Sequence, residues 1–279
     1  MSTPTFGTRL REAMDGRGPL CAGIDPHAGL LDAWGLTDSV NGLEKFALGA
    51  AEALAPRVAA VKPQSAFFER FGSRGIEVLE RVVETCREAG ALVVLDVKRG
   101  DIGSTAQAYA DAYLDPRSPM AVDAITATPF LGFGSLTPMF DTASEHGKGV
   151  FVLALTSNPE APVFQHARTE AGQTVAGTVL NELRTLNTDA ALMGSFGAVV
   201  GATIAETMED LAINGPLLVP GIGAQGGTAH DVLRIFGDVI DLVLPSSSRE
   251  ILGAGPGVDA LHEAVGRSLD AFSALRGRR

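Results

Sequence analysis

The length, composition and charge of the chain set the first limits on its fold and function. Its 279 residues are 46% hydrophobic and only 6% aromatic, which favours a large aliphatic core such as a parallel sheet covered by helices. The formal net charge of −11 argues against nucleic acid or an anionic membrane as a partner, because the field of the protein repels both. No apolar stretch reaches membrane-spanning length, and the N-terminal residues carry charges where a signal peptide is apolar. A cytoplasmic protein is therefore expected.

Short apolar runs alternate with helical patterns through the first part of the chain. The apolar spacing of residues 8–14 predicts a leading helix. Strands are then predicted at residues 20–25, at residues 58–62 and from residue 92, and helices over residues 39–55, 64–71, 75–89 and 105–114. This order is typical of repeated strand–helix units.

The same alternation continues to the end of the chain. Thr203 and Glu206 have the spacing of a capping box, which predicts a helix start after strand six. Residues 157–166 are a polar, proline-containing loop that is long enough to close over a site. Strands are predicted at residues 121–128, 149–156, 197–202, 217–220 and 239–245, and helices over residues 133–146, up to about residue 186, and over residues 257–274.

Eight strands that alternate with helices predict an α/β fold, a single (β/α)8 TIM barrel over residues 1–279 with an extra N-terminal helix. A doubly wound open sheet is the alternative, because periodicity does not distinguish a closed sheet from an open one. The barrel is favoured because a barrel builds its active site at the carboxyl ends of its strands. Polar or turn-forming residues recur at these ends, namely Asp25, Lys62, Asp96, Lys98, Thr156, Pro220 and Ser246.

Charges are concentrated where the third predicted strand meets its loop. In residues 92–105, LVVLDVKRGDIGST, an apolar run leads directly into Asp96, Lys98 and Asp101. Because side chains two apart in a strand point the same way, Asp96 and Lys98 share a face, opposite Val97. Such a pair is either a satisfied ion pair at a strand end or part of a catalytic site, and this segment alone does not decide between them.

Residues 220–227, PGIGAQGG, form a second informative stretch. They follow a predicted strand, precede a helix and contain the GxGxxG pattern, with Asp241 at a spacing suited to a ribose contact. A dinucleotide site is disfavoured, because only one strand and one helix follow and Asp241 lies near the start of its predicted strand. Glycines after strand seven of a barrel favour a phosphate site instead. Residues 246–248 and Arg249 add hydroxyls and a guanidinium for the same anion.

Nucleophilic and metal chemistry find little support in the sequence. There is no GxSxG motif, no HxH or HExxH spacing, and the five histidines are scattered. Magnesium could in principle be bound by three aspartates near strand ends, Asp25, Asp96 and Asp101. Lys98 would compete for the last two carboxylates, so no metal site is predicted. Cys21 and Cys86 lie far apart and outside any CxxC pattern, which predicts two small core side chains.

The two stretches together resemble one enzyme family. The pattern Asp96-x-Lys98-x-x-Asp101-Ile102-x-x-Thr105, with Lys62 at the preceding strand end and PGIGAQGG after strand seven, is similar to that of the orotidine 5′-phosphate decarboxylases. The matching motifs run from Asp25 to Arg249. The chain length and the segment LDVKRGDIGST resemble the longer bacterial branch of that family.

The resemblance implies conversion of orotidine 5′-phosphate to UMP, the last step of de novo pyrimidine synthesis, in a homodimer and without metal or cofactor. Lys98 would be the proton donor, in a charged network with Lys62, Asp96 and Asp101. Three residues would reach the site of the neighbouring subunit, namely Asp101, Ile102 and Thr105. The resemblance further implies a set of substrate contacts, namely Asp25 to the ribose, Ser157 to the pyrimidine, and Gly223, Gln225 and Arg249 to the phosphate.

Two departures and two rival functions accompany this interpretation. The run Thr156-Ser157-Asn158 leaves open which hydroxyl meets the base, and Thr128-Pro129-Phe130 replaces the Asn-Pro-Tyr expected after strand four. One rival is a metal-dependent sugar-phosphate decarboxylase or aldolase of the same barrel superfamily, in which DxKxxD also occurs. The other is a catalytically silent barrel that binds a phosphate ligand.

Overall fold

The computed structural model of the chain describes residues 4–204, 207–222 and 227–276. Parallel strands form a closed barrel in the order of the chain, and β1 pairs with β8 to complete it, with Cys21 opposite Ser246. The predicted (β/α)8 barrel is therefore confirmed. The strands are β1 (Cys21–Ile24), β2 (Ala60–Pro63), β3 (Leu92–Arg99), β4 (Ala124–Ala127), β5 (Gly149–Leu155), β6 (Phe196–Val200), β7 (Leu217–Val219) and β8 (Val243–Ser247).

Helices surround the barrel and precede it. The α-helices of the first half are α1 (Phe6–Arg17), α2 (Ala28–Ala33), α3 (Val40–Leu54), α4 (Ala66–Glu69), α5 (Ser73–Glu88) and α6 (Gly103–Leu114). Those of the second half are α7 (Thr137–Glu145), α8 (Ala161–Gln165), α9 (Val175–Leu186), α10 (Ala229–Phe236), α11 (Arg249–Leu252) and α12 (Val258–Arg276). Short 3-10 helices lie at Ala55–Arg57, Phe133–Leu136 and Gly237–Leu242. In the described parts of the chain, no helix combines the length and hydrophobicity that a membrane crossing needs.

The extra N-terminal helix closes one end of the barrel. Phe6, Leu10 and Met14, spaced for one helical face, are fully or almost fully buried and pack on side chains from the barrel interior. The ring of Phe6 meets that of Phe151 on β5 edge to face, with centroids 5.9 Å apart. The barrel interior is apolar and filled at this end, whereas the polar strand ends lie at the other end, where barrels build their sites.

Two predictions for the last third of the chain are wrong, the start of strand eight and the helix after strand six. Strand eight begins at Val243 rather than at residue 239, because Gly237–Leu242 continues α10 as a 3-10 turn that buries Ile240. A short apolar run fits a strand and a buried turn equally well. After β6, Glu206 lies outside the described residues, and residues 207–216 contain no helix. Leu211 and Ile213 there are buried on either side of exposed Ala212, the alternation of extended chain.

Both cysteines are core side chains, as the sequence predicts. Cys21 on β1 and Cys86 on α5 are free thiols with no exposed surface. Burial raises the pKa of each thiol to about 12. Both therefore stay protonated and behave as small hydrophobic groups.

Candidate active site

An irregularity in strand pairing shapes the charged end of β3. Leu95 pairs with Ile125 and Arg99 with Ala127, so Asp96, Val97 and Lys98 lie opposite a single residue of β4, Thr126. Bulges of this kind re-aim side chains and occur next to active sites. Lys98 has a φ of 45°, the left-handed region that non-glycine residues rarely adopt. The strand is thus irregular at the point where the side chains of Asp96 and Lys98 leave it.

Asp96 is the centre of a compact charged cluster. Lys62 Nζ, from the end of β2, lies 3.0 Å from Asp96 Oδ2, and Lys98 Nζ lies 2.6 Å from Oδ1. The hydroxyl of Thr126 donates a third hydrogen bond, of 2.7 Å, to Oδ1. The side chains of Lys62 and Asp96 are 8% and 9% exposed, whereas that of Lys98 is 45% exposed. One amine is therefore locked in the protein and the other faces the space above the barrel.

The surrounding charges keep this cluster ionised. Burial alone would raise the pKa of Asp96, but Lys62 and Lys98 together with the hydrogen bonds hold that pKa well below its usual range. Burial alone would lower the pKa of Lys62, but the carboxylates of Asp25 and Asp96 raise it above its ordinary value. At neutral pH the pair consists of a carboxylate and an ammonium.

Asp25 brings an unsatisfied carboxylate oxygen to the same end of the barrel. It follows β1 and lines a small cavity with Lys62, Arg249, two serines of the β8 end and the backbone after β7. Its Oδ1 atom is buried and has no hydrogen-bond partner among the described residues. An oxygen in that state is suited to a donor from a ligand, such as a sugar hydroxyl.

The predicted phosphate region is described in part. Gly223 and Gln225 lie outside the described residues. The hydroxyl of Ser248, which lines the same cavity as Asp25 and Arg249, is buried and has no partner within the described chain, which leaves it available to an anion. Gly23 on β1 allows the close approach of this segment, because an added Cβ would lie 2.5 Å from that of Ser248.

Residues 101–105 stand apart from the cluster. Within the described chain, the carboxylate of Asp101 forms no ion pair with Lys62 or Lys98; it accepts a 2.8 Å hydrogen bond from the Ile102 amide. The Ile102 side chain is 62% exposed, and Thr105, on α6, is exposed as well. The structure thus joins three of the four predicted network members in one chain, and the half-buried Asp101 lies outside their ion pairs.

The end of β5 carries a second polar group. Gln165 of α8 accepts from the Thr156 amide at 2.9 Å and donates to the Thr156 hydroxyl at 2.8 Å. That hydroxyl in turn donates to Asn158 Oδ1 at 2.7 Å. Ser157 is exposed, and its hydroxyl forms no hydrogen bond within the described residues. The residues of the predicted 157–166 loop include the short helix α8.

The run Thr128-Pro129-Phe130, which differs from the Asn-Pro-Tyr expected after strand four, contacts the loop of residues 157–166. Phe130 is 69% exposed, and its ring lies 5.3 Å, centroid to centroid, from that of Phe164 on α8. The segments that follow β4 and β5 therefore meet above the barrel through two aromatic rings.

Thr126 and Gln165 are the polar residues of this end that the sequence does not single out. Thr126 lies within a predicted strand, AVDAITAT, where a threonine is a common β-former and signals nothing further. Among the described residues there is no group of three or more His, Cys, Asp or Glu side chains arranged to hold a metal ion. Asp25, Asp96 and Asp101 do not form such a group.

The chain is a (β/α)8 barrel with lysines and aspartates gathered at the carboxyl ends of its strands. These features place it in the class of barrel enzymes with a charged active site. Residues 18–264 match the Orotidine 5′-phosphate decarboxylase / HUMPS family. The chain belongs to this family.

Individual relatives agree with the family match. A protein of Nocardioides sp. named orotidine 5′-phosphate decarboxylase is 68% identical over 250 residues, which cover 88% of this chain and 91% of that protein. A crystal structure from Streptomyces avermitilis is 55% identical with a TM-score of 0.96, covering 99% of this chain and 97% of the other. The OMP decarboxylase of Leishmania donovani is 29% identical with a TM-score of 0.77, covering 98% and 99%.

Proposed function

We propose that the chain converts orotidine 5′-phosphate to UMP and CO2 as a carboxy-lyase, without a metal ion or organic cofactor. The observation that carries the proposal is the Lys62–Asp96–Lys98 cluster, in which one half-exposed ammonium is fixed beside a buried carboxylate. The names of the relatives, up to 68% identical, support the same substrate.

Lys98 supplies what the reaction needs most. Loss of CO2 from C6 of the orotate ring leaves negative charge on a carbon with no adjacent carbonyl to absorb it. A preorganised ammonium stabilises that charge electrostatically and then delivers the proton that forms UMP. Lys98 is the more exposed of the two lysines in the cluster and is positioned by its bond to Asp96.

Asp96 acts on the carboxylate that leaves. Two unit charges about 4 Å apart at an effective dielectric near 20 repel by about 4 kcal/mol. A substrate carboxylate placed beside Asp96 is destabilised by such repulsion, which is relieved as CO2 departs. Lys62 keeps Asp96 ionised and fixed in orientation for this role.

The remaining assignments concern substrate recognition. The free Oδ1 of Asp25 accepts from a ribose hydroxyl. Ser157, rather than Thr156, meets the pyrimidine, because the Thr156 hydroxyl is already engaged by Gln165 and Asn158. Arg249, together with Gly223 and Gln225, binds the phosphate. The phosphate group lies far from C6, and the energy of binding it drives closure of residues 157–166 over the pyrimidine ring.

A homodimer completes the site in this proposal. Asp101 is unpaired with the cluster of its own chain, and the neighbouring Ile102 exposes 62% of an apolar side chain. Asp101, Ile102 and Thr105 therefore extend into the site of the partner subunit, where Asp101 joins the charged network. Burial of Ile102 at that interface removes apolar surface from water.

The test follows the ultraviolet absorbance of orotidine 5′-phosphate on mixing with purified protein, with and without EDTA. The proposal expects conversion to UMP at an unchanged rate in EDTA. Activity that EDTA abolishes and magnesium restores would support the metal-dependent rival. Binding of orotidine 5′-phosphate without any conversion would identify the silent phosphate-binding barrel.

A further inference from the structure

Thr126 connects the two parts of the cluster that have to be held in register. It lies on β4 with 1% of its surface exposed, directly opposite the bulged segment of β3. Its hydroxyl donates to Asp96 Oδ1 at 2.7 Å and accepts from the Lys98 amide at 2.9 Å. We propose that Thr126 is the positioning residue that fixes Lys98 and Asp96 relative to each other. This inference rests on the proposed function, in which Lys98 delivers the proton.

The main chain of Lys98 needs such a partner. Lys98 lies in the bulged segment of β3, where its amide donates to the Thr126 hydroxyl in a partly buried bond, and leaving such an amide without an acceptor is costly. The φ of 45° is also unfavourable for a lysine, so surrounding bonds have to maintain it. The Thr126 hydroxyl provides the acceptor and thereby sets the direction in which the Lys98 side chain leaves the strand.

The carboxylate of Asp96 needs the same hydroxyl as a donor. Asp96 Oδ2 is held by the buried Lys62, whereas Oδ1 is held by Lys98, whose side chain is half exposed and mobile by nature. Thr126 adds a rigid donor to Oδ1 from a third strand. A single hydroxyl can donate and accept at once, which leaves threonine and serine as the small side chains that fit this position.

The experiment compares Thr126→Val, which keeps the shape and loses the hydroxyl, with Thr126→Ser, which keeps the hydroxyl. Thr142→Val is the control, because Thr142 is also buried, donates to Pro138 O and accepts from Gln107, but lies on α7 away from the cluster. We expect kcat of Thr126→Val to fall about 10- to 100-fold with KM within about threefold, as for a small misplacement of a reacting group. Thr126→Ser and Thr142→Val should retain kcat within about threefold.

A second measurement does not depend on activity. Hydrogen exchange of the Lys98 amide, followed by NMR, should be slow in the wild type and Thr126→Ser and faster in Thr126→Val. Equal kcat in Thr126→Val and Thr142→Val, equal damage from Val and Ser, or an unchanged Lys98 exchange rate would each overturn the inference. If Thr126→Val does not fold, Thr126→Ala and Thr126→Ser form the comparison. A folded wild type that makes no UMP would contradict the proposed function, while the exchange measurement still decides the role of Thr126.

Discussion

Two aspartates, each 8% exposed, lie at opposite ends of this barrel, and each sits between two cations. Asp96 at the carboxyl end binds Lys62 and Lys98. Asp123, just before β4, accepts from Arg9 at 2.6 Å and lies 3.9 Å from Lys148. Each cluster holds one carboxylate between two cations, so composition does not distinguish their roles.

The difference lies in what each cluster is attached to. Asp123 also accepts from the Val93 amide, and Arg9 donates to Gly147 O, so this cluster ties α1 to the strands. Burial lowers the pKa of Lys148, whose counter-ion Asp123 is shared with Arg9. The pKa of Lys62 is raised instead, by two neighbouring carboxylates. The Asp123 cluster is a cross-link at the end of the barrel that governs stability. The Asp96 cluster keeps the Lys98 ammonium half exposed, and Asp25, with its unsatisfied oxygen, lines a cavity with Lys62 at the same end of the barrel.

Substitution of the exposed ammonium should give the largest effect. Lys98→Ala is expected to lower UMP formation by about 10⁴-fold or more, because both the charge and the proton donor are lost. The melting temperature should change little, since Lys98 is half exposed. Lys148→Ala, the matched lysine of the other cluster, should keep normal turnover. Normal turnover by Lys98→Ala itself would refute the assignment of the proton donor.

Mixing two inactive variants should show which subunit supplies Lys98 and which supplies Asp101 to one site. Lys98→Ala and Asp101→Ala proteins are each expected to be inactive alone. After subunit exchange at equal concentrations, about half of the dimers are mixed and each has one intact site, so about a quarter of wild-type activity should return. Activity is measured before and after exchange, with each variant incubated alone as control. Absence of recovery, with mixed dimers demonstrated by mass, would place Asp101 in the site of its own chain.

Breaking the other cluster should cost stability and spare the chemistry. Asp123→Asn is expected to lower the free energy of unfolding by about 3 kcal/mol, because Arg9 and Lys148 lose a largely buried counter-charge. Its kcat should remain that of the wild type. Asp38→Asn, which removes a solvent-exposed pair with Arg70, is the control and should change denaturant unfolding little. A loss of kcat in Asp123→Asn without loss of stability would remove the distinction between the two ends.

The pH dependence of stability should be the smallest effect. The pKa of Asp96 lies below its ordinary 3.8, so its contribution is present above that pH and is lost as the pH falls further. The pKa of Lys62 lies above its ordinary 10.5, so its contribution is present below that pH and is lost as the pH rises further. The difference in unfolding free energy between the wild type and a Lys62→Met/Asp96→Leu variant should thus be flat from about pH 5 to 9. A step near pH 7 would show that another group dominates.

The sequence carries the arrangement of the barrel and much of its polar end. Alternating apolar runs and helical patterns are enough to place eight strands, because burial on both faces makes each strand conspicuous. Asp25, Lys62, Asp96 and Lys98 follow from their position at strand ends, where a buried charge needs a reason. The late start of β8 and the extended chain after β6 are missed, since tertiary contacts at Ile240, Leu211 and Ile213 decide them.

The sequence pattern predicts that Asp96 and Lys98 lie together, which is correct, but the reason it gives is wrong. Simple alternation puts both on one face of a regular strand, but the strand is bulged and Lys98 adopts a left-handed conformation. Pairing of β3 with β4, a separate segment of the chain, determines that bulge, and a local pattern within β3 does not contain it. The sequence does not single out Thr126 for the same reason, because its importance arises from the residues of β3 that it faces.

The two buried cysteines give the chain a practical property. Thiols whose pKa is raised to about 12 are almost entirely protonated at neutral pH, and thiolate is the form that reacts with alkylating reagents. A single cysteine introduced at Val163, which is 86% exposed on α8, would therefore be the site of modification in an otherwise inert background. A fluorophore attached there would test the proposed closure of residues 157–166 over substrate, without any need to remove the native cysteines.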